Sequence, residues 1–172
     1  LEKIEIILEN INFFLQSKKI LKNKKIIITS GPTREHIDPI RFVTNNSSGK
    51  QGFAIAKILS SFGAKVELVT GPTNLDKPHG INIHEVISSK EMYHKVNKLI
   101  PCDVAIFVAA VTDFRNKYIA THKIKKNNIK KMNMIKNIDI IKSISTSKKK
   151  RPKLIIGFTV DTKNLEKNAK SK

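Results

Sequence analysis

Short β-branched runs alternating with helical stretches constrain this chain more than any other feature of its sequence. Ile26–Thr29, Val66–Thr70, Ile81–Val86, Val104–Ala109 and Leu154–Phe158 each read as a strand buried on both faces. Between them lie helical patterns over Lys50–Phe62, stopping at Gly63, and over Lys90–Leu99, where Ser88 stands three residues before Glu91 as a capping box. A third helix is expected over Ile138–Ile144. Such alternation implies βαβ units and an α/β fold with a mainly parallel sheet covered on both faces. In sheets of this kind ligands bind outside the carboxyl ends of the strands, so the loops after Thr29, Thr70, Ala109 and Phe158 are the places to search.

The chain has 172 residues, enough for one domain with a full core, and it contains no internal repeat. Residues 1–16 carry Ile4, Ile7, Leu8, Ile11, Phe14 and Leu15 at near-helical spacing. With the Lys-rich stretch behind them they read as an amphipathic helix and linker over 1–24, which leaves 25–172 as the domain. No apolar run approaches the roughly 18–20 residues that cross a bilayer, and the first residues are acidic where a signal peptide is basic; the expectation is a cytoplasmic protein with no membrane partner. The single cysteine, Cys102, excludes an internal disulfide and a zinc ribbon. The five histidines show no i, i+4 pairing and are read as surface or turn residues, so no metal ligand is assigned.

Charge demands a separate account. Lys+Arg number 33 against 14 acids, a formal net charge of +19. Counterion release makes such an excess the usual footprint of a nucleic-acid binder. Only Arg34, Arg41, Arg115 and Arg151 are arginines, however, and forked base readout prefers Arg. The lysines also accompany abundant Ile and Asn, as compositional drift of an AT-rich genome would produce. Most of the excess sits in one segment, since Phe114–Lys153 carries twelve Lys and two Arg against Asp139 alone. That segment lies between two strand-like runs, where an arm could meet an anionic ligand.

Three stretches could carry chemistry. The loop from Thr29 to Gly52 ends in Ser47-Ser48-Gly49-Lys50-Gln51-Gly52 at the start of a helix, where free amides and the helix dipole favour a phosphate. It is not a P-loop: Thr44 stands where the first glycine belongs and Gln51 where Ser or Thr follows the lysine. An N-cap with close helix packing explains the same residues without a ligand. Asn45 and Asn46, neutral donors and acceptors, suit a carboxylate or acyl oxygen. In the second stretch small Ala109 and Ala110 admit a ligand to the backbone, and Asp113 could accept from a hydroxyl or amide, help hold a metal, or merely cap a turn. The third, His122-Lys123-Ile124-Lys125-Lys126, could neutralise a triphosphate or form an ordinary solvated run.

Taken in order, SGPTREHIDPIRFVTNNSSGKQGFAIA, AAVTDFR, KIKK, NIDI and GFTVDT resemble the phosphopantothenate–cysteine ligase domain of the bifunctional coenzyme A biosynthesis flavoprotein, from about Lys25 onward. The resemblance implies a Rossmann-like three-layer domain with a basic flap at about 115–136, working as a homodimer. It implies that 4'-phosphopantothenate is joined to cysteine through an acyl cytidylate made from CTP with Mg²⁺, and that no flavin is held by this chain. Asn45 and Lys123 would be catalytic. Arg41, Asn45, Ala109, Ala110 and Asp113 would hold substrate, Arg41 by reaching to the partner's site. Gly31, Ser47, Gly49, Gly52, Phe107, Val108, Ala109, Asp113, Lys123, Ile138, Asp139, Ile140, Ile141, Phe158 and Lys172 would bind nucleotide. The family's NPDI is here Asn137-Ile138-Asp139-Ile140 and its GFAAET is GFTVDT, so a rigid turn beside the base is lost. No decarboxylase domain is present before residue 1, so that domain is expected as a fused or separate partner, and relatives continue beyond Lys172, so the domain is expected to be incomplete at its C-terminus. A nucleotide-binding fragment without turnover is the alternative, and a Lys-rich nucleic-acid binder a third.

Overall fold

A computed structural model describes residues 19–125, 132–147 and 151–160. The expected helix over 1–16 lies outside these residues. Five strands form one parallel sheet: β1 (Lys25–Ser30), β4 (Lys65–Thr70), β5 (Asn82–Glu85), β6 (Val104–Phe107) and β9 (Leu154–Gly157), in the order β5-β4-β1-β6-β9. From β1 the chain builds outward to β4 and β5 and then returns to the other side of β1 for β6 and β9. The strand order therefore reverses between β1 and β6, and the crevice at their carboxyl ends is where such sheets receive ligands.

Three helices cover the sheet: α1 (Lys50–Ser61), α2 (Ser89–Leu99) and α3 (Ile140–Ser145). Phe53 and Ala56 of α1 pack on Ile26, Ile28, Val66, Leu68 and Ile106. On the opposite face, Met92 and Val96 of α2 and Ile140 and Ile144 of α3 pack on Ile27, Val69, Ala105 and Phe107. Alternate residues of the same strands thus feed two cores, which is why β1 reads as a continuous apolar run and β4 as one broken only by Glu67. This is the three-layer α/β architecture the sequence implies.

Local signals set the ends. Gly63, at φ 88°, terminates α1, and the residues just before β1 dock there through Leu21 N–H to Phe62 O (2.9 Å). Ser88 Oγ accepts from Glu91 N (3.2 Å), while the Glu91 carboxylate takes the Ile87 N–H (2.9 Å) and the Ser88 hydroxyl (2.9 Å). Helix α3 is shorter than expected at its start, because Asp139 stands outside it as the N-cap, Oδ1 accepting from Lys142 N (2.9 Å).

Two small antiparallel ladders are absent from the sequence reading. Strands β2 (Arg34–His36) and β3 (Phe42–Thr44) form a hairpin inside the first loop, and β7 (Phe114–Asn116) pairs with β8 (Met134–Lys136) at the root of the basic arm. The histidine reading also needs correction. His84 lies on β5 with Nε2 2.8 Å from the largely buried Glu67 carboxylate, and His36, on β2, meets the Phe42 ring edge-on at 5.8 Å. Side-chain period two brings Glu67 to the edge strand, where a histidine and Asn82 satisfy it. Among the described residues no helix is long and apolar enough to cross a membrane.

Candidate functional site

The first loop leaves β1 at Gly31 and is packed too tightly for side chains. A Cβ on Gly52 would fall 2.4 Å from Ser30 Oγ, and one on Gly71 would fall 1.6 Å from Pro32 O. Gly31 and Gly49 both adopt positive φ, 70° and 77°, and Ser30 Oγ donates to Gly49 O (2.9 Å). The start of α1 is thereby drawn over the end of β1. Its N-cap is Gly49, which has no side chain to cap the first turn; only Ser48 Oγ approaches, accepting from Lys50 N at 3.5 Å, and no acid lies there. Free N–H groups at a helix start form an electropositive locus.

Beside it runs the loop after β6. Ala110 N donates to Gly31 O (2.9 Å) and Thr33 N to Ala110 O (3.3 Å), so the two loops lie edge to edge as a short parallel bridge between Pro32 and Ala110. Asn45 is exposed and crosses between them, donating from Nδ2 to Val111 O (3.0 Å). Behind this junction sits a buried network that sequence reasoning missed. Glu35, 4% exposed, accepts from Ser89 N (2.8 Å) at the start of α2 and from Thr112 Oγ1 (3.2 Å). Thr112 and Thr33 exchange hydroxyl contacts at 3.0 Å, and Thr112 N donates to Thr33 Oγ1 (3.0 Å). No signal close to Glu35 in the chain could have found it, because its partners stand at Ser89 and Thr112.

Asn137 extends the junction to the arm. Its Nδ2 donates to Thr112 O (2.8 Å), its N–H to Asp113 O (2.8 Å), and its Oδ1 accepts from Arg115 (2.9 Å). The Ile138–Ile141 stretch is therefore carried next to the loop after β6. Ile138 and Phe158 are exposed there, whereas Ile140 and Phe107 lie in the core at 4% and 5% exposure. The last two can meet a ligand only through backbone atoms, and Phe107 O already accepts from Phe158 N (3.0 Å). Val108 is half-buried and packs toward the α1 face. Ala109 and Ala110 are half-buried, and Asp113 is exposed.

A cleft of about 580 Å³ opens in front of α1, lined by Asn45, Ser47, Ser48 and Lys50 on one side and by Pro72 and Thr73 on the other. Arg34 stands at its margin with its guanidinium 4.8 Å from the centre of the Phe42 ring. Ala109, Ala110 and Asp113 do not line this cleft; they lie across the junction that Asn45 spans. The Arg41 guanidinium turns inward, pairing with Asp38 and donating to Ile124 O (2.8 Å). Lys123 is exposed beside it. Lys126 and Lys172 lie outside the described residues.

Ionisation limits the roles of other groups. The Arg41 guanidinium holds the Asp38 carboxyl well below the usual carboxylate range. Burial pushes the Cys102 thiol up to about 11, which removes it as a nucleophile near neutrality. Among the described residues no three His, Cys, Asp or Glu side chains cluster as a metal cage.

An open parallel sheet with helices on both faces, and loops gathered at the reversal of strand order, defines a Rossmann-like α/β domain. Residues 21–172 match the DNA/pantothenate metabolism flavoprotein C-terminal domain, and the chain belongs to that family. The coenzyme A biosynthesis bifunctional protein CoaBC of Vibrio cholerae is 43% identical over 176 residues, covering 100% of this chain and 43% of that protein. CoaBC of Borreliella burgdorferi is 43% identical over 173 residues, covering 98% of this chain and 43% of its own length. The chain thus spans less than half of the relatives it matches. The crystal structure of the C-terminal domain of a CoaBC superposes with a TM-score of 0.76 at 42% identity, over 90% of this chain and 73% of that one. A DNA/pantothenate metabolism flavoprotein from Streptococcus pneumoniae superposes at 0.61 with 26% identity, over 71% of this chain and 64% of that one.

Proposed function

We propose that this domain is a CTP-dependent ligase that joins 4'-phosphopantothenate to cysteine in coenzyme A biosynthesis. The reading is supported most by one juxtaposition: Asn45 bridges the uncapped start of α1 and the Ala109–Asp113 loop, in a chain of a family whose relatives include CoaBC. A carboxylate does not exchange its oxygen for an amine in water, so the acid is first activated. The substrate carboxylate oxygen attacks the α-phosphorus of CTP, the bond to the β-phosphate oxygen breaks, and pyrophosphate leaves. The cysteine amine then attacks the acyl carbon, CMP leaves with the bridging oxygen, and the amine loses a proton.

In this reading the first-turn amides of α1 and the Ser47 hydroxyl receive phosphate oxygens. Asn45 keeps a second Nδ2 hydrogen after its bond to Val111, and this donates to the acyl oxygen. Lys123 neutralises charge on the departing pyrophosphate. The exposed Ile138 and Phe158 offer apolar surface for the base. Asp113, an exposed carboxylate on the loop after β6, would hold Mg²⁺, which would supply charge neutralisation at the triphosphate. A cytoplasmic homodimer completes the proposal; the expected reach of Arg41 to the partner's site gives way to the inward pairing of its guanidinium with Asp38 and Ile124 O.

Incubation with CTP, Mg²⁺ and phosphopantothenate tests it. Pyrophosphate and acyl cytidylate are expected, and cysteine should convert the latter to product. Lys123→Gln is expected to slow pyrophosphate release by about 10²–10³-fold, and Asn45→Asp to abolish acyl-cytidylate accumulation. A folded dimer that binds CTP but releases no pyrophosphate would overturn the ligase reading.

A further inference from the structure

The segment that carries Lys123 runs along the turn between β2 and β3, and one side-chain pair joins them. Asp38 is fully buried. Its Oδ1 accepts the N–H groups of Ile40 (2.9 Å) and Arg41 (2.8 Å), which is ordinary Asx-turn bonding. Its Oδ2 faces elsewhere, accepting from Arg41 Nε (2.9 Å), from Arg41 Nη2 and from Ile124 N (3.2 Å). Arg41 Nη2 donates onward to Ile124 O (2.8 Å). Both backbone groups of Ile124 are thus taken by an Asp–Arg pair, as a neighbouring strand would take them. A second anchor lies four residues earlier, where Ala120 N donates to Ile37 O (3.0 Å). Lys123 projects from between the two anchors.

We propose that Asp38 is a positioning residue which, through Arg41, fixes the backbone at Ile124 and so sets where Lys123 stands relative to the Asn45 cleft. A turn needs only one carboxylate oxygen; the second takes the Arg41 guanidinium, which itself reaches Ile124 O, and the Ile124 N–H. An asparagine at 38 retains the turn acceptor but presents an amide NH₂ to three donors, so Asp38→Asn separates the two roles. The consequence for turnover rests on the ligase reading; the grip on Ile124 does not.

The test uses the full chain and three readouts. In Asp38→Asn, tryptic cleavage after Lys123 and Lys125 and exchange of the Ile124 amide are each expected to rise about tenfold or more. Pyrophosphate release is expected to show a kcat lowered about tenfold or more, with KM for CTP within about twofold. Arg41→Lys, which keeps a charge beside Asp38 but loses the fork that reaches Ile124 O, is expected to reproduce the cleavage and kcat changes, and it decides the matter if Asp38→Asn does not fold. Unchanged cleavage and exchange would overturn the grip, whatever the protein catalyses. Increased cleavage with an unchanged kcat would overturn the positioning role. A wild-type chain that releases no pyrophosphate would refute the ligase reading alone, the proteolysis and exchange still deciding the grip.

Discussion

The glycine-packed loop over β1 and the basic arm after β7 bound the same site, but they are held in opposite ways. In the first, backbones approach so closely that a single Cβ has nowhere to go, at Gly52 against Ser30 and at Gly71 against Pro32. In the second, the described residues are tied by a three-residue ladder, by Arg115 and Asn137, and by the Asp38–Arg41 grip on Ile124. Close packing fixes position by excluding alternatives, at Gly71 against backbone that cannot turn away and at Gly52 against the Ser30 side chain, itself bonded to Gly49 O. Polar tethers fix position only while each donor and acceptor keeps its partner. The contrast suits a site in which a phosphate cradle stays fixed while a cationic segment meets a changing ligand.

The largest test of that contrast is Gly71→Ala. The added methyl would sit 1.6 Å from Pro32 O, a backbone atom held on its other side by the bridge to Ala110. A loss of about 3 kcal/mol or more in chemical denaturation is expected, at the upper end of overpacking costs. A loss below about 0.5 kcal/mol would show that the two loops yield, and the contrast would collapse.

Thr112→Val probes the joint between the two regions and is expected to cost about 1–3 kcal/mol. Its hydroxyl is shared by Thr33 and Glu35, so removal leaves the buried Glu35 carboxylate with Ser89 N as its one remaining donor among the described residues. Thr112→Ser keeps the hydroxyl and should recover most of the loss in the same denaturation experiment. Equal losses in the two variants would assign the effect to packing instead.

The frame was legible in the sequence because its signals are local and long. β1 carries an unbroken Ile26–Ile28 run and β4 is apolar apart from Glu67, α1 stops at a glycine, and α2 opens on Ser88 with Glu91 three residues on. The two small ladders were not, since three residues are too few to show period two against loop composition. Glu35 and Asp38 were invisible for a different reason. The partners of Glu35 stand at Ser89 and Thr112, and the turn around Asp38 gives no sign of Ile124, whose N–H joins Arg41 on its second oxygen. The Gly-Ser cluster before α1 could be read as a phosphate locus from its composition, whereas the inward turn of Arg41 depends on a segment more than eighty residues away.

The smallest expected effect distinguishes two carboxylates, Asp38 at the root of the arm and Asp103 at the starts of the central strands. Asp38 is held below the usual range chiefly by the Arg41 guanidinium, with the N–H groups of Ile40, Arg41 and Ile124 adding to it against the opposing effect of burial. Asp103 is lowered chiefly by its bond from Lys25 N, with Lys153 adding. In either case the open or unfolded form, with an ordinary value of about 3.9, takes up a proton before the closed form does. The stabilisation is therefore complete above about pH 5 and is withdrawn as pH falls below about 4 toward the depressed folded value. The structural consequences differ. Asp103 ties the starts of β1, β6 and β9, through Lys25 N to its Oδ2 (3.0 Å) and Leu154 N to its carbonyl (3.2 Å), so losing it requires opening the sheet. Asp38 ties only the arm to its turn, so Ile124 can be released with the sheet intact. Amide exchange followed between about pH 5 and pH 3 should show the Ile124 protection factor falling while those of β1 hold. In Asp38→Asn the Ile124 value should be low and independent of pH over that range. Parallel loss at Ile124 and in β1 would mean that the arm is coupled to the sheet as tightly as the sheet is to itself.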